Sequence, residues 1–105
     1  MCDKAKEIIN GKTREERLAE LWTAMESALG RKLPIKDRHH MLAKARAFIL
    51  HQMHSEGWGN PTTARLLGLN ESTVWIAVSN ADFIIKHPWA YPEECQLYKK
   101  FRESL

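Results

Sequence analysis

The string Asn70-Glu71-Ser72-Thr73 places four hydrogen-bonding side chains in a row, immediately ahead of the largely apolar run Val74-Trp75-Ile76-Ala77-Val78. Amide and hydroxyl groups match the donor and acceptor patterns of base edges, and a carboxylate accepts from the amino group of cytosine. A second set of residues is cationic: Arg31, Lys32, Lys36, Arg38, Lys44 and Arg46 all fall within 31–46. Such a cluster neutralises phosphates and makes affinity salt-dependent. Alone it would suit a solvated face equally well, but its place just before the polar string favours a phosphate role. The chemistry these two sets support is recognition, not bond making.

Other reactive residues do not assemble into sites. His51 and His54 lie one helical turn apart and His39-His40 lie upstream, yet no third ligand stands at recognised spacing, so no metal is expected. Cys95 has no activating neighbour pattern, and no Ser sits in a Gly-flanked elbow. The pairs Glu15-Glu16 and Glu93-Glu94 read as helix-start residues that favour the macrodipole. Neither an enzyme nor a cofactor is expected.

With 105 residues, 44% hydrophobic and 28% charged, the chain has the composition of one small globular domain and not of a disordered segment. Its net charge of +3 permits an acidic partner without requiring one. No apolar run reaches membrane-spanning length, and the charged start 1–6 is no secretory signal. Two cysteines, Cys2 and Cys95, are too few for a disulfide framework, and free thiols in a cytoplasmic setting are expected.

The elements that must position the polar string are all helical in expectation. A short helix over 1–9 would stop at Asn10-Gly11, and Thr13 with Glu16 forms a capping box. Leu18, Leu21, Trp22, Met25 and Leu29 then recur at helical spacing until Gly30. A long helix over about 37–56 carries the stripe Met41, Leu42, Ala45, Phe48, Ile49 and Met53. Gly57-Trp58-Gly59 breaks it. Next come two helices joined by a tight turn: Asn60 is expected to cap the first, with Pro61 at its first position. Gly68 should leave that helix with positive φ. Asn70 caps the second, over 71–85, before His87-Pro88 ends it. Val74, Ala77, Val78 and Ala81 should face inward, and Asn70, Glu71, Ser72, Trp75, Ile76 and Ser79 outward. Trp75 and Ile76 are either exposed contacts or packed under the Trp89–Tyr91 connector. Pro92 starts a last helix through Phe101. No segment alternates as a strand would, so the fold class is all-α.

The region 25–85 resembles the C-terminal DNA-binding domain of the bacterial replication initiator DnaA, a family with a Trp-repressor-like fold. The resemblance rests on the basic loop, the long helix opening near Lys36-Asp37-Arg38 and continuing through Ala45-Arg46, and the helix-turn-helix. It rests also on Asn70-Glu71-Ser72-Thr73-Val74, similar to the family's Asp-His-Thr/Ser-Thr-Val signature. The resemblance implies that Arg38 enters a minor groove and that Lys36, Lys44 and Arg46 lie near phosphates. It implies further that Pro61 brings a helix start to the backbone, that His54 approaches a phosphate, and that Asn70, Glu71, Ser72 and Thr73 touch bases and phosphates in the major groove. Glu71 stands where the family has His, and Ser79 and Asn80 where it often has basic residues. No Gly-rich phosphate loop of an ATPase domain is present.

The expectation is therefore a stand-alone cytoplasmic protein that binds double-stranded DNA, a replication-accessory or transcription-regulatory protein of phage or mobile-element type. A homodimer or a replication or phage protein is a further possible partner, and no membrane is. Two alternatives stand beside it: a protein-interaction module using Trp75, Ile76 and the Trp89–Tyr91 segment, or a terminase-like subunit that binds DNA only as an oligomer.

Overall fold

The computed structural model describes residues 8–35 and 39–105, and within them the chain is mostly helical. A short hairpin of β1 (Ile8–Ile9) and β2 (Lys12–Thr13) precedes α1 (Arg14–Leu29), α2 (His40–Ser55), α3 (Asn60–Leu67), α4 (Glu71–Lys86) and α5 (Pro92–Glu103). The all-α expectation holds apart from this hairpin, which corrects the reading that no strand occurs. The strands are antiparallel, with Ile8 opposite Thr13 and Ile9 opposite Lys12. Asn10 and Gly11, with φ of 54° and 78°, take the left-handed region together. Positive φ at both central residues is the signature of a two-residue hairpin turn, for which Asn-Gly is the preferred pair. The same dipeptide also stops helices, which is why a helix over 1–9 was expected. Residues 8–9 overturn it, and 1–7, including Cys2, lie outside the described residues.

Local signals set the start and end of α1. Thr13 Oγ1 accepts from the Glu16 amide at 3.2 Å, and the Thr13 amide donates to Glu16 Oε1 at 2.9 Å. This reciprocal box satisfies two donors that the helix start leaves open. At the other end Gly30 turns left-handed and its N–H returns to the Glu26 carbonyl. The face made by Leu18, Leu21 and Met25 is buried. Helix α2 begins at His40, later than expected, with His39 Nδ1 accepting from the Met41 amide at 3.2 Å. It buries Leu42, Ala45, Phe48, Ile49 and Met53, the stripe that its periodicity marks out.

One core joins α1, α2, α4 and α5. Helix α4 lies mainly on α2, while α5 returns over α1, α2 and α4 and inserts Leu97 and Phe101. Tyr98 packs its ring 5.1 Å from that of Phe48. Trp58, in the break after α2, is turned fully inside and fills the space that the break opens. A smaller cluster of Leu50, Ala64, Val74 and Val78 holds α3 and α4 to α2. Among the described residues no helix is long and apolar enough to cross a membrane.

Candidate nucleic-acid interface

The two helices α3 and α4 and the turn between them project the polar string. Gly68 has φ 71° and ψ 30°, and its amide returns to the carbonyls of Ala64 and Arg65. The Leu69 amide reaches the Ala64 carbonyl at 2.8 Å, closing the end of α3. Ala64 is buried against Val74, as its small size at the crossing requires. The cap of α3 differs from expectation. Gly59 holds that position, and Asn60 is already helical, 4% exposed, with its Nδ2 unpartnered in the interior. Pro61 is therefore the second residue of α3, still where its missing N–H costs nothing. Asn70 does occupy the cap of α4, but its side chain makes no capping hydrogen bond.

Beneath α3 lies a buried polar junction that sequence reasoning missed. Arg14 is 4% exposed, and its Nη1 donates to the Gly59 carbonyl at 3.0 Å and to Thr63 Oγ1 at 2.8 Å. Its guanidinium also stands 5.2 Å over the Trp58 ring, a favourable cation–π geometry. The start of α1 is thus tied to the start of α3. Next to it, Glu56 accepts from Arg17 through both carboxylate oxygens, from Gln52 at 2.8 Å and from Trp58 Nε1 at 3.3 Å. Burial alone would raise the Glu56 carboxyl. The Arg17 and Gln52 hydrogen bonds, with the Arg17 charge, outweigh it and hold the group below its ordinary value. Arg102 of α5 completes the junction by donating to Gln52 Oε1 at 2.7 Å.

The outward set on α4 is placed as its periodicity implies. Asn70, Glu71, Ser72, Thr73 and Ser79 are exposed, while Val74, Val78 and Ala81 are buried and Ala77 is half-buried. None of the side chains of Asn70, Glu71, Ser72 and Thr73 makes a hydrogen bond or ion pair among the described residues. Trp75 and Ile76 are 47% and 61% exposed, so they are not buried under the connector. Phe83 is the residue of α4 that meets the connector, with its ring stacked 4.1 Å from His87 and edge-on to Tyr91 at 6.1 Å, though it too stays 52% exposed. Trp89 stays 75% exposed.

The cations are distributed unevenly. Lys36 and Arg38 lie outside the described residues, so their expected roles have no geometry here. Lys44, on the first half of α2, is half-buried beside Thr73 and Ile76 of α4 along one cleft. Arg46 shares that cleft, but its Nη1 donates to the Pro34 carbonyl at 3.1 Å, so the guanidinium braces the loop before α2. Arg65 leans on Thr62, and Lys86 pairs with Asp82 at 2.9 Å. The hydrogen bond from Lys86, and then that from His51, hold the Asp82 carboxyl below its ordinary value.

Two histidines of α2, His51 and His54, have partners on α4. His51 Nε2 lies 3.3 Å from Asp82 Oδ1, and its Nδ1 is buried without a partner. His54 meets the Trp75 ring edge-on at 5.4 Å between centroids, steadying an exposed indole. Both link α2 to α4. Among the described residues no three His, Cys, Asp or Glu side chains are grouped to hold a metal ion. Cys95 is half-buried with its Sγ against the Ile84 carbonyl, and burial, followed by the charge of Glu94, pushes its thiol up, away from nucleophilic character. No family model matches the chain, and no curated protein or solved structure matches it either.

Proposed function

We propose that this chain binds double-stranded DNA, with the start of α4 in the major groove and the cations before and within α2 on the phosphates. The observation that carries the reading is the set of polar side chains at Asn70, Glu71, Ser72 and Thr73, unpaired among the described residues. They are held at the exposed start of a helix that follows a tight left-handed turn. A helix presented this way fits the width of the major groove. The likeness of Asn70-Glu71-Ser72-Thr73-Val74 to the DnaA signature, in a Trp-repressor-like setting, supports the same reading. Asn70 suits adenine, Ser72 and Thr73 suit several bases, and Trp75 and Ile76 suit the methyl group of thymine. No Arg or Lys lies between Asn70 and Ile85, so α4 does not read guanine in the usual bidentate way. Attraction to phosphate then falls to Lys36, Arg38 and Lys44, and the process served is replication or transcription control.

The test is a salt titration of duplex binding. The logarithm of affinity should fall linearly with the logarithm of salt concentration, by roughly 0.9 per phosphate neutralised. Combined alanine replacement of Lys36, Arg38 and Lys44 should weaken binding and flatten that slope. Full affinity in the triple variant overturns the proposal.

A second reading is favoured by the exposure of Trp75, Ile76 and Phe83 on α4 and of Trp89 after it. A helix face this apolar also suits a protein partner or a second copy. Sedimentation across a concentration series separates the two readings. A DNA-binding monomer keeps one mass, whereas self-association through α4 raises the mass and is lost in Ile76→Ser.

A further inference from the structure

Between the first half of α2 and the outer side of α4 lies a cavity of about 400 Å³, lined by Lys44, Arg46, Leu67, Ile76 and Trp22 among others. That volume lies within the roughly 300–1,000 Å³ of small-molecule sites. Its lining is mainly apolar, and the polar end of Trp22 is already used, because Nε1 donates to the Leu33 carbonyl at 2.8 Å. Among the described residues two cations line it and no carboxylate does. Arg46 is engaged with the Pro34 carbonyl, whereas Lys44 makes no ion pair or hydrogen bond among the described residues. An apolar hollow with a half-buried lysine on its wall, unpaired among the described residues, is complementary to one kind of molecule. That molecule has a flat or branched hydrocarbon body and a single anionic end.

We infer that this cleft binds an amphiphilic organic anion, an aryl or alkyl carboxylate, with its carboxylate on Lys44 and its apolar body between Trp22, Leu67 and Ile76. A neutral molecule of the same shape gains the apolar contacts but leaves Lys44 without a counter-charge. A free phosphate gains the charge but fills none of the hollow. Preference for the charged amphiphile over both is the property this geometry predicts. The cleft shares Lys44 and Ile76 with the proposed DNA contacts, so its occupancy is read directly on the protein with no DNA present.

The probe is 1-naphthoate, added to the full ¹⁵N-labelled chain, with 1-naphthamide and inorganic phosphate as the neutral and non-apolar counterparts. Naphthoate should shift the amide signals of Ala47, Leu67 and Ala77 saturably, and naphthamide should bind about tenfold more weakly, the usual worth of one charge-assisted contact. Lys44→Met should erase that preference and Lys44→Arg should keep it. Ala43→Trp, placed at an exposed position on the cleft wall, should block both naphthalenes without disturbing the core. Equal binding of naphthoate and naphthamide overturns the assignment. So does a charge preference that survives Lys44→Met, or saturable shifts confined to residues away from the cleft.

Discussion

The polar groups beneath α3 and those at the start of α4 obey opposite rules. In the junction, Arg14, Arg17, Gln52, Glu56 and Thr63 are bonded to one another or to backbone at 2.7–3.3 Å. On α4, Asn70, Glu71, Ser72 and Thr73 are left to solvent with no such partners among the described residues. Burying a charge is tolerable only when it is paired, so the junction must be saturated. Solvent satisfies the exposed set at no such cost, which leaves these groups free to exchange water for a ligand. The contrast separates residues that hold the fold from residues left open to solvent, and it can be broken from either side.

The largest effect belongs to the junction. Arg14→Ala strands the start of α3 and exposes Trp58 to a void, and it should lower unfolding free energy by about 3 kcal/mol. The midpoint of urea denaturation checks this, and a shift as small as that of a surface substitution would deny Arg14 its anchoring role. Glu56→Gln should cost about 2 kcal/mol, because it keeps the shape but loses the charge that faces Arg17.

The same carboxyl gives a pH dependence with a definite sign. The folded chain holds Glu56 below its unfolded value near 4.5, so its stabilisation is complete above that pH and is lost as pH falls through the lower folded value. In Glu56→Gln that part of the acid-side slope should be absent. Thermal melts between neutral and acidic pH compare the two chains, and unchanged slopes would refute the assignment.

Gly68→Ala sharpens the comparison at the turn between the two regions. A Cβ there meets no atom within 4 Å, so sterics with neighbours contribute nothing. The left-handed φ alone should destabilise the chain by about 1 kcal/mol. The smallest stability effect belongs to α4. Ile76→Ser should change unfolding free energy by no more than about 0.5 kcal/mol, since the side chain is mainly exposed. Its effect should appear instead in DNA affinity, as should exchange of thymine for uracil in the duplex, which removes only the methyl group. Uracil duplexes bound as tightly as thymine duplexes would remove Trp75 and Ile76 from base contact.

Much of the helical framework was legible because its signals are local. Thr13 with Glu16, Gly30, Gly68 and His87-Pro88 act within one turn of the element they bound, and the stripe of α2 repeats at a fixed period. The outward face of α4 was legible for the same reason, since Val74, Val78 and Ala81 fix which side is inward. The hairpin was misread because Asn-Gly serves two kinds of chain reversal, and the α3 cap because Gly59 and Asn60 both suit that position.

The sequence by itself determined the five helices from Arg14 onward to within a few residues, where α4 turns its polar side, and that α4 carries no cation before Lys86. Only the tertiary structure decided that Arg14 belongs under α3 and that Arg46 braces Pro34. It alone brought Phe83 and not Trp75 to the connector, and Lys44 to the wall of an apolar cleft. These contacts join residues far apart in the chain, and Arg14 reaches across 45 and 49 positions to Gly59 and Thr63. No local periodicity or cap encodes such a pairing. It is set by how the helices cross, and that depends on the shape of the whole core at once.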